Sequence, residues 1–321
     1  MEDAILEMKN LHVNYETGEG TVYAVNGLDL RVKKGEILGL VGETGAGKTT
    51  AALSILKLLP KDLGFITEGA IYFKGQDLTA KSEHDMEDIR GNEISMIFQD
   101  PMSSLNPILT VGEQIGEVLL LHKPEMSKED IEKNVDDLMR MVSIPPERKK
   151  EYPHQFSGGM KQRIVIAIAL ACEPDLLLAD EPTTALDVTI QAQVLELMSN
   201  LQKNLNTAML LITHDLGVVA ETCDSVAVMY AGEIIESGTV EDIFEGTSRH
   251  PYTVGLFGSI PNLESKKSRL EPIPGMMPDP TRQYAGCRFS ARCGQCREEC
   301  LTELPHPWIS GTHMVRCHLF K

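Results

Sequence analysis

Gly42-Glu43-Thr44-Gly45-Ala46-Gly47-Lys48-Thr49 is a complete G-x-x-x-x-G-K-T phosphate loop, set between an apolar run and a helix-forming segment. Its glycines let the backbone curl until successive N–H groups point inward at phosphate oxygens. Lys48 has the reach for β- and γ-phosphates, and Thr49 has a hydroxyl to offer Mg²⁺. Thr50 onward starts a helix whose positive dipole end faces the nucleotide. The flanks agree, because Ile37-Leu38-Gly39-Leu40-Val41 reads as a buried parallel strand and Ala51-Ala52-Leu53-Ser54-Ile55-Leu56 as the helix after it. A nucleoside triphosphate is the expected ligand.

With 321 residues the chain can bury a core of one large or two modest domains. Its net charge of −17 opposes nucleic-acid binding, which needs clustered Lys and Arg against phosphate. No apolar stretch approaches the roughly 20 residues that cross a bilayer, and Met1-Glu2-Asp3-Ala4 lacks the basic and apolar regions of a signal peptide. A cytosolic protein is expected. In a reducing compartment its seven cysteines are not expected to form disulfides. Cys172 and Cys223 sit among apolar or helical neighbours and read as core. The other five crowd into the tail, at Cys287, Cys293, Cys296, Cys300 and Cys317.

Residues from about 4 to 40 alternate apolar and polar, as in Ile5-Leu6-Glu7-Met8 and Leu28-Asp29-Leu30-Arg31-Val32, which predicts strands of an antiparallel sheet. Gly69 to Gly75 reads as a further hairpin strand and Ile94 to Phe98 as a short strand leading to Gln99. From Val111 to about Met141 the apolar residues recur at helical spacing, a helical insertion that ends near Ile144-Pro145-Pro146. A helix over about 158–171 feeds the strand Leu176-Leu177-Leu178-Ala179-Asp180. Another helix, about 190–205, leads to the strand Ala208 to Thr213, and this alternation predicts a parallel sheet. After about residue 255 prolines become frequent, and regular structure is expected to give way to a linker and a cysteine-rich tail.

The strand ending in Asp180-Glu181 places two acids at the sheet edge. Asp180 is suited to hold Mg²⁺ through water, and Glu181 to orient an attacking water and accept its proton. Ser157-Gly158-Gly159-Met160-Lys161-Gln162, after Phe156, joins small residues to a helix start and offers N–H groups and a hydroxyl to an anion.

With the rest of the chain, this segment resembles the signature sequence of ATP-binding cassette (ABC) ATPases. Phosphate loop, Gln99, Phe156 to Gln162, Asp180-Glu181, Ala185-Leu186-Asp187 and His214 follow in that family's order, over roughly residues 4–250. The resemblance implies an ATPase in which Gln99 senses Mg²⁺ and the γ-phosphate, Glu181 is the base, and His214 holds the attacking water. It implies that Tyr15 stacks on adenine, with Tyr23 close by in sequence as the alternative ring. Gly42, Thr44, Gly45, Ala46, Gly47, Lys48, Thr49 and Thr50 would line the nucleotide. Ser157, Gly158, Gly159 and Asp187 would complete the site of a second cassette. Met160 stands where the family often has Gln.

His250-Pro251-Tyr252-Thr253, Ser259-Ile260-Pro261 and Ile273-Pro274-Gly275 resemble the C-terminal extension of ATPase subunits of oligopeptide and dipeptide importers. That extension carries the spacing C-x5-C-x6-C-x16-C, matched here by Cys287, Cys293, Cys300 and Cys317. Four thiolates suit either tetrahedral zinc or a [4Fe–4S] cluster, and spacing alone does not separate them. The resemblance tilts the reading to iron–sulfur. Cys296 is extra and forms C-x-x-C with Cys293. Arg288, Arg292, Arg297 and Arg316 lie among these cysteines and read as charge compensation for a thiolate site.

The expected fold is an α/β, ABC-type P-loop NTPase with a mostly parallel central sheet, an antiparallel β subdomain, a helical subdomain over about 100–160 and a cysteine-rich extension. The expected division is residues 1–255 for the ATPase domain and 256–321 for the extension. The resemblance implies ATP-driven import of dipeptides or oligopeptides, with ATP, Mg²⁺ and a [4Fe–4S] cluster as cofactors. It also implies two membrane permease subunits, an extracellular substrate-binding protein and a second, paralogous ATPase subunit, at the cytoplasmic face of the membrane. A nickel or glutathione importer and a soluble ABC ATPase are the alternatives.

Overall fold

The computed structural model describes residues 4–100, 104–184, 186–259 and 272–320. Met1-Glu2-Asp3, Ala185 and Ile260-Pro261 of the readings above lie outside them. In chain order the elements are β1 (Ala4–Thr17), β2 (Gly20–Lys33), β3 (Ile37–Val41), α1 (Lys48–Ile55), β4 (Gly64–Phe73), β5 (Gln76–Asp77), α2 (Glu83–Ile89) and β6 (Ile94–Ile97). There follow α3 (Val111–His122), α4 (Lys128–Met141), α5 (Gly158–Leu170), β7 (Leu176–Asp180), α6 (Val188–Leu205), β8 (Ala208–Thr213) and α7 (Leu216–Thr222). The last are β9 (Ser225–Tyr230), β10 (Glu233–Thr239), α8 (Val240–Phe244), α9 (Pro251–Gly258), α10 (Glu299–Thr302), β11 (Pro307–Ser310) and β12 (His313–Arg316). The chain divides into two compact units.

The first unit comprises Met1–Ile5, Val32–Ile37 and Ala80–Ile212. Here β6 pairs with β7 and β7 with β8, all parallel, in registers such as Ile94↔Leu176 and Leu176↔Ala208. All of Leu176–Asp180 is buried, which is why this strand reads as an unbroken apolar run and not as an alternating one. The helices α3 and α4 fall where the helical insertion is expected. Gly116 of α3 faces Ile131 and Val135 of α4, where an added Cβ would meet them at ordinary van der Waals distances of 3.5 and 3.6 Å. Thr110 and Glu113 close a capping box at the start of α3.

The second unit comprises Leu6–Arg31, Leu38–Thr79 and Thr213–Lys321. It holds the four-stranded antiparallel sheet β2-β1-β4-β5 expected from the alternating pattern. It also holds a mixed group in which β3 lies parallel to β9 while β9, β10, β12 and β11 run antiparallel in turn. The tail therefore departs from the irregular structure its prolines suggest, because β11 and β12 form a hairpin that extends β10. Phe289, also from the tail, is buried with Tyr230 and Tyr252, ring centroids 5.2 and 5.5 Å away. Burying such a ring contributes about 2 kcal/mol.

A buried carboxylate ties these parts together. Glu236 of β10 is fully buried and accepts from the His250 N–H (2.8 Å), the Thr253 hydroxyl (2.6 Å) and the ring of His313 in β12 (2.9 Å). Burial drives the pKa of His250 down to about 3, so its neutral ring accepts the Tyr252 N–H and caps α9. That helix opens with the His-Pro-Tyr-Thr run, which from sequence reads as a turn-rich strap.

Candidate nucleotide site

In the second unit, β3 delivers the phosphate loop onto α1. Gly45 (φ 84°) and Gly47 (φ 103°) occupy the left-handed region, where a side chain is strained. At Gly47 a Cβ would also lie 2.4 Å from the Ala24 carbonyl oxygen. Gly47 is the N-cap of α1 and supplies no side-chain cap, so the helix start presents its N–H groups at the loop. Lys48 is buried, its ammonium donating to the carbonyls of Gly42 (2.6 Å) and Glu43 (3.1 Å). Thr44 and Thr49 are exposed. The Tyr15 hydroxyl lies 3.1 Å from that of Thr50, which places the ring beside the first turn of α1. His214 follows β8 and is exposed at the entry to α7, whose N-cap is Asp215.

In the first unit, Asp180 ends β7 and is buried. Glu181 then turns out of the strand with φ 46°, a left-handed conformation uncommon outside glycine, its N–H donating to Ile212 O at 2.9 Å. One of its oxygens, Oε2, accepts from Gln99 Nε2 and from the Thr184 hydroxyl, both at 3.0 Å. Gln99 and Glu181, separated by 82 positions in the chain, are thus brought together. Two donors on one oxygen fix the orientation of the carboxylate, as positioning a general base requires.

The signature segment lies in the same unit. Phe156 is buried, with the Arg148 guanidinium 4.2 Å from its ring centroid, while Ser157 and Gly158 are exposed. Ser157 is the N-cap of α5 but makes no side-chain cap bond. Gly159 is needed for packing, since a Cβ there would come within 2.5 Å of Ile190 Cγ2 on α6. Asp187 caps α6 by accepting the Ile190 N–H at 3.0 Å.

None of the cysteines is in a disulfide. Cys172 is buried, and Cys223 packs beneath Gly39, burial pushing its thiol up to about 12. In the tail the Cys287 N–H donates to Cys300 O (2.8 Å), and the Cys296 N–H to Cys293 O (3.2 Å). Burial, with neighbouring cysteines adding to it, pushes the thiols of Cys287 and Cys317 up. Cys296 is exposed. Among the described residues, however, no group of three or more His, Cys, Asp or Glu side chains is placed to hold a metal ion. The donor chemistry suits a soft metal, while the placement of the sulfurs does not form the site.

Arg297 keeps the charge-compensating role read in the sequence, lying near enough to Cys317 to favour its thiolate, but the other arginines are employed differently. Arg288 pairs with Glu233 (2.8 Å) and Arg292 with Glu43 (2.6 Å), because nearly buried guanidinium groups need a carboxylate partner. Arg316 approaches Asp29 at 3.9 Å, and Arg297 approaches Glu299 at 3.6 Å.

Comparison with known proteins fits this geometry. The ABC transporter family matches residues 25–184, and the family described as oligopeptide/dipeptide transporter, C-terminal region, matches residues 235–300. Along 99% of its length the chain is 52% identical to the dipeptide transport ATP-binding protein DppD of Bacillus subtilis (strain 168), covering 95% of that protein. The chain belongs to the ATP-binding subunits of oligopeptide and dipeptide ABC transporters. The oligopeptide transport ATP-binding protein OppD of the same strain is 50% identical over 98% of this chain and 88% of its own length. A solved ATP-binding cassette, dimeric in a post-hydrolysis state with ADP and Pi, superposes with a TM-score of 0.66. It is 28% identical, over 73% of this chain and 98% of that one.

Three of the residues that touch these motifs were not legible as such in the sequence. Thr184 lies between two motifs and is singled out only by its bond to Glu181. Glu43 is an unspecified position of the phosphate-loop pattern. Arg292 is one of several tail arginines, 249 positions from its partner, and no local pattern links the two. Among the described residues no helix is long and apolar enough to cross a membrane. Membership among the peptide ABC transporter ATPases implies transmembrane permease partners.

Proposed function

We propose that the chain is the ATP-hydrolysing subunit that energises import of dipeptides or oligopeptides through a membrane ABC transporter. The observation that carries this is one chain matching both the ABC cassette and the oligopeptide/dipeptide C-terminal region. The phosphate loop from Gly42 through Thr44, Gly45, Ala46 and Gly47 wraps the phosphates, and Lys48 binds their outer oxygens. Thr49, Gln99 and Asp180 would hold Mg²⁺, which would supply positive charge to offset that of the phosphates. Glu181 accepts the proton of the attacking water and His214 positions that water against the γ-phosphate. Tyr15 stacks on adenine; its place beside Thr50 supports this. Ser157, Gly158, Gly159 and Asp187 complete the site of a second cassette, a paralogue in a heterodimer, and the exposure of Ser157, Gly158 and Asp187 supports that. An extracellular binding protein delivers the peptide, and the subunit works at the cytoplasmic face of the membrane. The functional division is 1–255 for hydrolysis and 256–321 for the extension.

The test is uptake of a radiolabelled dipeptide and tripeptide by cells lacking this chain. Uptake should be lost and be restored by the wild-type chain but not by Glu181→Gln. Intact peptide uptake with lost nickel or glutathione uptake would overturn the cargo.

The same reading takes Cys287, Cys293, Cys300 and Cys317 as ligands of a [4Fe–4S] cluster, with zinc as the alternative. Their spacing supports it. Such a group would cross-link four points of the tail. Anaerobically purified protein should contain iron and sulfide in cluster proportion and absorb broadly near about 400 nm. Cys317→Ser should lose the metal and keep ATP binding. Unchanged metal content in that variant would show the ligand set to be wrong.

A further inference from the structure

Glu43, the second residue of the phosphate loop, is gripped by the tail. Arg292 Nη1 donates to Glu43 Oε2 at 2.6 Å and Nη2 to Oε1 at 3.1 Å, a bidentate pair that fixes both distance and orientation. The guanidinium is itself held from behind. Its Nε donates to Pro274 O (2.9 Å), Nη2 also reaches Ile273 O (3.3 Å), and Nη1 reaches the Tyr230 hydroxyl (3.4 Å). The Arg292 side chain is 4% exposed and Glu43 32% exposed. On the loop side, the Glu43 N–H donates to the Tyr252 hydroxyl (2.8 Å), while its carbonyl accepts from Lys48 Nζ and from the Ala46 N–H, both at 3.1 Å. Side chain, amide and carbonyl of one loop residue are therefore all engaged, and the carbonyl is engaged by the lysine meant for phosphate.

The phosphate-loop pattern does not require a carboxylate at this position. Nor is a nearly buried ion pair an efficient source of stability, since desolvation offsets much of its attraction. What a bidentate, back-supported arginine does supply is a fixed position. We propose that Arg292 is a positioning residue for the phosphate loop, and that through its pair with Glu43 the tail lobe 272–320 is energetically coupled to nucleotide binding. Coupling of this kind is reciprocal: tail packing tightens nucleotide binding, and nucleotide tightens the tail.

The inference rests on the reading of Gly42 to Thr49 as the nucleotide site, and the experiment separates the two. ATP affinity with Mg²⁺, together with KM and kcat, is measured on the full chain for wild type, Arg292→Gln, Glu43→Gln, the double variant and Lys48→Ala. Each single charge variant should weaken ATP binding about tenfold and raise KM while leaving kcat near wild type. The double variant should be no weaker than either single one, as partners in one interaction require. Hydrogen exchange of segment 272–293 should slow when ATP is added to wild type and not when it is added to Glu43→Gln. Glu43→Gln leaves the tail's own residues in place, so it decides the matter if Arg292→Gln fails to fold. Binding within twofold of wild type in the charge variants, or losses that multiply in the double variant, overturns the inference, provided Lys48→Ala has lost ATP. Normal ATP binding by Lys48→Ala overturns the loop assignment and the inference together.

Discussion

Glu181→Gln should retain ATP, with affinity within about threefold of wild type, while steady-state hydrolysis falls by about 10²- to 10⁴-fold, the range a positioned general base contributes. The geometry makes this substitution unusually clean. Gln99 Nε2 and the Thr184 hydroxyl both donate to Glu181 Oε2. A glutamine amide in the same place satisfies those donors only by turning its oxygen toward them, which leaves an NH₂ group where the water must be held. That group donates and cannot accept a proton. ATP that cannot be cleaved should hold two cassettes together, so the variant should elute as a dimer with ATP when mixed with its partner cassette. Normal turnover by Glu181→Gln would remove Glu181 as the base. A companion change, Thr184→Val, removes one donor without altering the carboxylate and should lower kcat more than it alters KM.

What could be read from the chain and what could not divides along a physical line. Strands buried on both faces announce themselves as apolar runs, so Leu176 to Asp180 and Ala208 to Thr213 were legible to the residue. The phosphate loop was equally legible, because the positive φ at Gly45 and Gly47 leaves little choice of residue. The tail hairpin was not. Its strands are four residues each, start at a proline in one case, and gain their order from β12 pairing with β10, 77 to 79 residues earlier. The same holds for function. Glu181 stands out because two acids end an apolar strand, whereas Thr184 carries no motif of its own and the contact between Glu43 and Arg292 spans 249 positions. The tail arginines show the limit most plainly. Their nearness to cysteines in sequence suggested compensation of thiolate charge, but Arg288 and Arg292 found carboxylates instead, at Glu233 and Glu43.

Gly47→Ala should cost the protein nucleotide binding by at least about 100-fold, equivalent to about 2.7 kcal/mol. Two terms add. Alanine at φ 103° is strained by roughly 1–3 kcal/mol. The new Cβ would also stand 2.4 Å from the Ala24 carbonyl oxygen and 2.9 Å from Met229 Cε. The methionine end can swing aside, but the carbonyl belongs to the backbone of β2 and cannot, so the loop itself must give. Relaxation is blocked on the far side, where Ala46 O accepts the Gly232 N–H at 2.9 Å. The residues that must shift are those whose N–H groups start α1, and a displacement of a few tenths of an ångström turns them away from phosphate. Gly75→Ala is the control. Gly75 has a comparable positive φ of 78° in the turn between β4 and β5, with open space around the new methyl group. It should lower thermal stability by a similar strain and leave ATP affinity unchanged. Equal losses of affinity in the two variants would mean that backbone strain in general, and not the fit of Gly47 beneath Ala24, governs nucleotide binding.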